Sequence, residues 1–184
     1  MIYIKTIKFL SNYRCFKKGR EIVFRDGINV IVGDQGSGKS TLLHCFLDND
    51  APDIYKIDHQ GEPNFMFFDA EKDNPGVVNL DDARDGMSMM QSRFESHGET
   101  ILPIILASER MKDRLIFLDE PESGLSIRSQ LKVADAFKKS AANGCQLIVC
   151  THSQFIMETV DEVYSLEHKK WMTTSKFIET QKQN

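Results

Sequence analysis

Nothing in this 184-residue chain approaches the run of about 18 apolar residues that a membrane-crossing helix needs. The first residues alternate apolar and polar rather than placing charge before an apolar stretch, so no secretory leader is expected. A cytoplasmic protein that does not insert into a membrane by itself is the expectation. Cysteine is sparse. Cys15, Cys45, Cys145 and Cys150 form no C-x-x-C pair and no metal-ligand spacing, which excludes a zinc ribbon and predicts reduced, partly buried thiols. A net charge of −4 excludes a chain-wide attraction to nucleic acid, so any such contact must come from a local patch. No internal repeat, heptad array or low-complexity tract occurs, which excludes a solenoid and a coiled-coil arm. What remains is ordinary globular material, 41% hydrophobic and 27% charged, and 1–184 reads as one domain with room for a real core.

The most informative stretch is Gly33-Asp34-Gln35-Gly36-Ser37-Gly38-Lys39-Ser40-Thr41, a complete G-x-x-x-x-G-K-[ST] phosphate loop. An apolar β-branched run, Ile28 to Val32, enters it, and Thr41 to Leu47 reads as the helix that leaves it. Glycines let backbone N–H groups turn inward around phosphate oxygens, and the helix N-terminus adds partial positive charge. Lys39 then reaches the β- and γ-phosphates, and the Ser40 hydroxyl can ligate Mg2+.

Around this loop the chain alternates strands and helices. Met1 to Phe9 and Glu21 to Phe24 predict two strands joined through the Lys17-Lys18-Gly19-Arg20 turn, a small antiparallel layer beside a parallel core. Residues 48–62 read as polar and turn-rich, and Asn64 to Phe68 as a short strand. Residues 77–95 predict a loop with a short helix around Arg84 to Arg93. Ser96-His97-Gly98-Glu99 is a capping box opening a helix whose apolar face is Ile101, Leu102, Ile105 and Leu106, with Pro103 in its early part. Leu115 to Leu118 and Gln146 to Cys150 are buried strands, Ser126 to Ala142 and Ser153 to Val160 are helices, and Glu162 to Ile178 reads as short strands. The fold class is therefore α/β: a phosphate-loop NTPase core with a mainly parallel sheet, an N-terminal antiparallel β layer and a reduced helical lobe over about 77–110.

Two acids follow the first buried strand. A phosphate-loop ATPase needs one carboxylate for the Mg2+ shell and one to position or deprotonate the attacking water. Asp119 suits the first role and Glu120 the second, because adjacent strand-end side chains point differently. The plain alternative is two acids capping the turn that begins at Pro121. His152, after the second buried strand, lies where a parallel sheet gathers ligand groups and could contact the γ-phosphate or the water. Taken alone, a histidine after a strand is more often a hydrogen-bonded edge residue.

In this order the motifs resemble the ABC-type ATPase head, in particular the soluble SMC, RecF and OLD-like branch. The matching segments are Gly33 to Thr41 (Walker A), Ser96 to Glu99 (signature), Leu115 to Glu120 (Walker B with catalytic Glu120), Ser123-Gly124-Leu125-Ser126 (D-loop) and His152 (switch histidine). Asn12-Tyr13-Arg14-Cys15-Phe16 looks like that branch's N-[FY]-R segment, which would put Arg14 near the nucleotide phosphates. Two departures stand out. The signature carries His97 where a glycine often sits, and no Gln occurs in residues 69–76, leaving Glu71 as the nearest substitute ligand. About 55 residues separate Thr41 from Ser96, room for only a reduced lobe.

The resemblance implies ATP and Mg2+ as cofactors. It also implies a head-to-head dimer in which Ser96, Gly98 and Glu99 of a second copy close the γ-phosphate site. With no other catalytic centre in the chain, a larger effector such as a nuclease or DNA-processing protein is expected as the partner. A low-turnover nucleotide-binding assembly module and the motor subunit of a membrane transporter are the competing readings, and a phosphoryl-transfer kinase a weaker one. DNA contact would need Arg14, Lys17, Lys18 and Arg20, or His168-Lys169-Lys170-Trp171, each of which reads more often as a solvated hairpin.

Overall fold

Strands that are apolar on both faces must be covered on both faces, and three such strands form the centre of this protein. The computed structural model describes residues 3–47, 51–61, 64–69, 102–103 and 105–182. Its strands are β1 (Ile4–Phe9), β2 (Glu21–Val23), β3 (Ile28–Val32), β4 (Tyr55–His59), β5 (Phe65–Asp69), β6 (Leu115–Asp119), β7 (Gln146–Cys150), β8 (Glu162–Ser165) and β9 (Lys170–Thr173). Its helices are α1 (Lys39–Leu47), α2 (Ile127–Ala142), α3 (Gln154–Met157) and α4 (Thr174–Gln181), with a 3-10 turn at Ser108–Arg110.

The main sheet has the order β5-β6-β7-β3-β8-β9, parallel from β5 to β8 and closed by the antiparallel β9. Side chains alternate faces along each strand. Val30 and Val32, Ile116 and Leu118, and Leu147 and Val149 all pack into one core with Val133 and Phe137 of α2. Their neighbours Ile31, Leu115, Phe117, Ile148 and Cys150 fill a second core with Leu42 and Leu43 of α1. Each of these fully buried side chains contributes on the order of 2 kcal/mol by leaving water. The α/β architecture with a mainly parallel sheet and a small antiparallel sheet is the one expected.

The second sheet is antiparallel, with β1 between β2 and β4. Two features dock it to the main sheet. Gln146 is fully buried at the start of β7, where its Oε1 accepts from the Tyr3 and Ile4 amides at 2.9 and 2.8 Å. Its Nε2 donates to the carbonyls of Ile4 and Arg25 at 2.9 and 3.0 Å. On the opposite side, Trp171 of β9 donates its indole N–H to Val23 O of β2 at 3.0 Å, and Arg25 lies 4.3 Å from the indole centre while pairing with Glu162.

Three expectations need correction. Within 48–62, read as turn-rich, Tyr55–His59 forms β4 with Tyr55 buried and Lys56, Asp58 and His59 exposed, a polar edge strand held by its ladder to β1. The helix expected over Ser153 to Val160 stops at Met157, because Thr159 turns its amide and hydroxyl onto Ile156 O at 3.0 and 2.7 Å. The tail expected as short strands ends in α4, anchored by Thr174 Oγ1 on Val160 O at 2.7 Å and by buried Phe177. Residues 102–103 and 105–107 are helical as expected, with Ile105 fully buried. The helix around Arg84 to Arg93 lies outside the described residues.

Replacing Gln146 with leucine keeps the volume and removes all four hydrogen bonds. A buried group left unsatisfied costs about 1–3 kcal/mol, so the loss is expected to be about 3 kcal/mol or more in urea unfolding. A loss below about 1 kcal/mol would show that the two sheets are held together by other contacts.

Candidate functional site

Parallel pairing puts the C-terminal ends of β3, β6 and β7 on one edge, with Asp119 opposite Cys150 and Ile31 opposite Cys150. The phosphate loop, Asp119-Glu120 and Thr151-His152 therefore emerge together.

The loop wraps its own lysine. Lys39, 5% exposed, donates from Nζ to Gly33 O at 2.9 Å and to Asp34 O at 3.2 Å, so the ammonium sits inside the turn. The backbone of Asp34 is tied from behind by the Glu167 carboxylate, which accepts its N–H at 2.9 Å. Gly38 is required by both conformation and space. Its φ is +102°, and a Cβ there would lie 2.1 Å from Cys15 Sγ and 3.3 Å from the Phe16 ring. Phe16 in turn stacks on Phe9 of β1 at 4.3 Å, so the antiparallel sheet props the loop. Arg14, itself left-handed at φ 48°, reaches Thr41 Oγ1 at 3.4 Å and thus lies beside the loop. Gln35, Gly36 and Ser40 are exposed, Ser37 is half-buried, and the Ser37 hydroxyl oxygen has no hydrogen-bond partner.

Asp119 is 5% exposed, and its Oδ1 is buried without a hydrogen-bond partner. Burial pushes its carboxyl up to about 6, and the neighbouring charges of Asp69 and Glu120 push the same way. The Ser40 hydroxyl and the Lys39 ammonium oppose the rise. An orphaned buried carboxylate oxygen beside a hydroxyl suits a small divalent cation, and Mg2+ takes one or two such protein ligands plus phosphates and water. Among the described residues no group of three or more His, Cys, Asp or Glu side chains could hold a metal alone. Asp69 ends β5 opposite Asp119, a strand-end acid that the sequence reading did not weigh. The signal was present, since Asp69 closes the Phe65 to Phe68 run as Asp119 closes Leu115 to Leu118.

Glu120 has φ 48°, a left-handed conformation that costs a non-glycine residue on the order of 1 kcal/mol or more and turns its side chain out of the sheet. Its Oε1 lies 3.5 Å from His152 Nε2, and both side chains are nearly half exposed. A carboxylate and an imidazole in this position can together orient and deprotonate a water. Ser123, half-buried, and Gly124, exposed, follow in a turn closed by the Ser123 amide on Glu120 O at 2.9 Å, and Ser126 caps α2 through Ser129 N–H. Glu122, also not weighed from sequence, accepts N–H bonds from His152 and Ser153. Ser96, Gly98, Glu99 and Glu71 lie outside the described residues.

The two basic segments are partly occupied by structural work. Arg20 lies 5.0 Å over the Phe16 ring and donates to Leu166 O at 3.1 Å, and His168 bonds Ser165. Lys17, Lys18, Lys169 and Lys170 stay exposed.

Gly38→Ala is expected to lower stability by about 1–3 kcal/mol and abolish ATP binding, measured by thermal unfolding and nucleotide titration. Gly36→Ala, whose Cβ would meet nothing within 4 Å, is expected to do less on both counts. Equal effects of the two would mean that the Cys15 contact does not shape the loop.

Comparison with known proteins places these observations in a class. Residues 9–48 match the family described as an AAA domain, and residues 94–158 match a second AAA domain, described as that of a candidate AbiEii toxin of a type IV TA system. The chain is 24% identical, over 206 aligned positions, to the SkfA peptide export ATP-binding protein SkfE of Bacillus subtilis, covering 86% of this chain and 84% of that protein. Its fold is similar to cbiO1 from Clostridium perfringens, part of the ABC transporter complex cbiONQ, with a TM-score of 0.60 at 16% identity over 99% of this chain and 92% of that one. It is also similar to the dimeric ATP-binding cassette MJ0796 bound to ADP and Pi, with a TM-score of 0.52 at 15% identity over 95% and 99% of the two chains. Two stretches of the chain thus match AAA-domain models, and its fold is similar to that of ATP-binding cassettes of ABC transporters.

Proposed function

We propose that this chain is a single-domain ATPase that binds ATP with Mg2+, hydrolyses it to ADP and phosphate, and closes head to head with a second copy. The observation that carries the reading is the convergence of Lys39, Ser40, orphaned Asp119 and the Glu120–His152 pair on one sheet edge. Lys39 and the loop amides would take the β- and γ-phosphates. Ser40 and Asp119, with Asp69 beside them, would hold Mg2+, which when bound draws charge from the β- and γ-oxygens. Glu120 would position the water and accept its proton as the water oxygen bonds the γ-phosphorus and the bond to the bridging oxygen of ADP breaks. His152 would steady Glu120 and contact the γ-phosphate. Ser96, Gly98 and Glu99 of the second copy are assigned to its outer side, with Ser123 and Gly124 facing that copy. Glu71 remains a weaker ligand candidate than Asp69.

In the soluble-branch reading, the dimer switches a larger effector in the cytoplasm, a nuclease or DNA-processing protein. A transporter motor is the second reading, favoured by the relatives, since SkfE is described as a peptide export protein and cbiO1 as part of a transporter complex. Among the described residues no helix is long and apolar enough to cross a membrane. Co-purification at native expression level separates the two, by recovering either a membrane protein or a soluble effector with or without DNA.

Glu120→Gln is expected to bind Mg-ATP, to lose at least about a hundredfold in turnover and to elute as a dimer in size-exclusion chromatography with Mg-ATP. A variant that elutes only as a monomer under those conditions would remove the head-to-head arrangement for the isolated chain. Wild-type turnover too slow to measure, with tight binding retained, would instead favour the assembly module.

A further inference from the structure

We infer that Glu122 and Gln130 are positioning residues for His152, and that together they lock the loop carrying it to the turn that follows Glu120. The inference rests on the ATPase reading above and concerns two residues to which that reading gives no contact with nucleotide or water. Glu122 is half-buried and its Oε1 accepts two backbone N–H bonds, from His152 and from Ser153, the latter at 3.1 Å. Its Oε2 is buried without a hydrogen-bond partner, which leaves these two amides as the carboxylate's hydrogen bonds among the described residues. Gln130 makes a second tie one turn into α2. Its Nε2 donates to Leu125 O at 3.1 Å, and its Oε1 accepts from Ser153 Oγ at 2.7 Å. Ser153 Oγ then caps α3 by accepting the Ile156 amide at 3.4 Å.

Two side chains from residues 122–130 thus grip both sides of residues 152–153. Without them the segment would keep the Thr151 amide on Ile31 O at 3.2 Å, the Ser153 amide on Thr151 Oγ1 at 2.9 Å and the Met157 amide on Ser153 O at 3.0 Å, none of which holds the His152 amide. The Glu120–His152 distance of 3.5 Å is set across a gap of 32 residues in sequence, so no local backbone preference can fix it. A shift of about 1 Å in a catalytic group can cost on the order of a hundredfold, which makes the clamp matter for rate more than for binding. Lys39, Ser40 and the loop amides, to which most of the nucleotide contact is assigned, do not take part in it, so ATP affinity should change far less than rate even though His152 is assigned a γ-phosphate contact.

The test uses the full chain with Glu122→Ala, Glu122→Gln and Gln130→Ala. Glu122→Gln keeps a carbonyl oxygen able to accept both amides, whereas Glu122→Ala keeps nothing. Steady-state ATP turnover is expected to show kcat lowered about tenfold or more in Glu122→Ala, with KM for ATP within about twofold of wild type. Glu122→Gln should recover most of that rate, and Gln130→Ala should lose less than Glu122→Ala. Independent of activity, hydrogen exchange in nucleotide-free protein should show the His152 amide exchanging roughly tenfold faster in Glu122→Ala, with Ser153, which keeps Thr151 Oγ1, changed less and amides of β6 and β7 unchanged. If Glu122→Ala does not fold, the same exchange and kcat measurements on Gln130→Ala decide the matter. Unchanged kcat, a parallel loss of kcat and ATP affinity, or Glu122→Gln as impaired as Glu122→Ala would each overturn the clamp while leaving the ATPase reading intact. Absence of Mg-ATP turnover in the wild-type chain would overturn that reading first, and the clamp with it.

Discussion

The parallel register of β3, β7 and β6 is the constraint on which the rest depends. Because both faces of these strands are covered, the polar side chains within them, Asn29 and Gln146, are tied to backbone and face no solvent. The chain can expose chemistry only where the strands end, and the register makes three ends coincide. A phosphate loop, an acid pair and a histidine separated by more than a hundred residues in sequence become neighbours for this reason alone. The site is therefore a by-product of how the core must be built, and changes to the core move it as a unit.

The antiparallel sheet adds a second layer of control. Phe9 stacks on Phe16, Phe16 and Cys15 crowd Gly38, and Gly38 opens α1 at the lysine. Space in the loop is set by a neighbouring sheet rather than by the loop itself. Cys15 and Phe16 thereby set the space around Gly38 from outside the loop.

Legibility in the sequence followed the range of the forces involved. The phosphate loop was readable because its residue types are demanded at fixed local spacing. The central strands were readable because burial on both faces leaves an unbroken apolar run. β4 was not, since an edge strand with Lys56, Asp58 and His59 facing water has only Tyr55 and Ile57 to mark it, and its ladder partner is some fifty residues away. α4 was hidden by its β-branched start and by having only Thr174 and Phe177 buried. Within the site, Asp119 and Glu120 could be picked out by their place after a strand. Glu122 could not, because its value lies in two amides thirty residues on. Long-range polar contacts leave no periodic trace.

The junction between the two sheets also carries the only tryptophan. Trp171 sits with its indole bonded to the small sheet, a guanidinium over its face and Tyr164 at its edge, 5.6 Å away. A fluorophore so placed reads one event, the parting of the layers, and its emission colour and quenching give the protein a built-in optical gauge of that seam. Because α1 and the loop lie on the small-sheet side of the core, the same gauge would register any nucleotide-driven shift of that side against β9 without a label being attached.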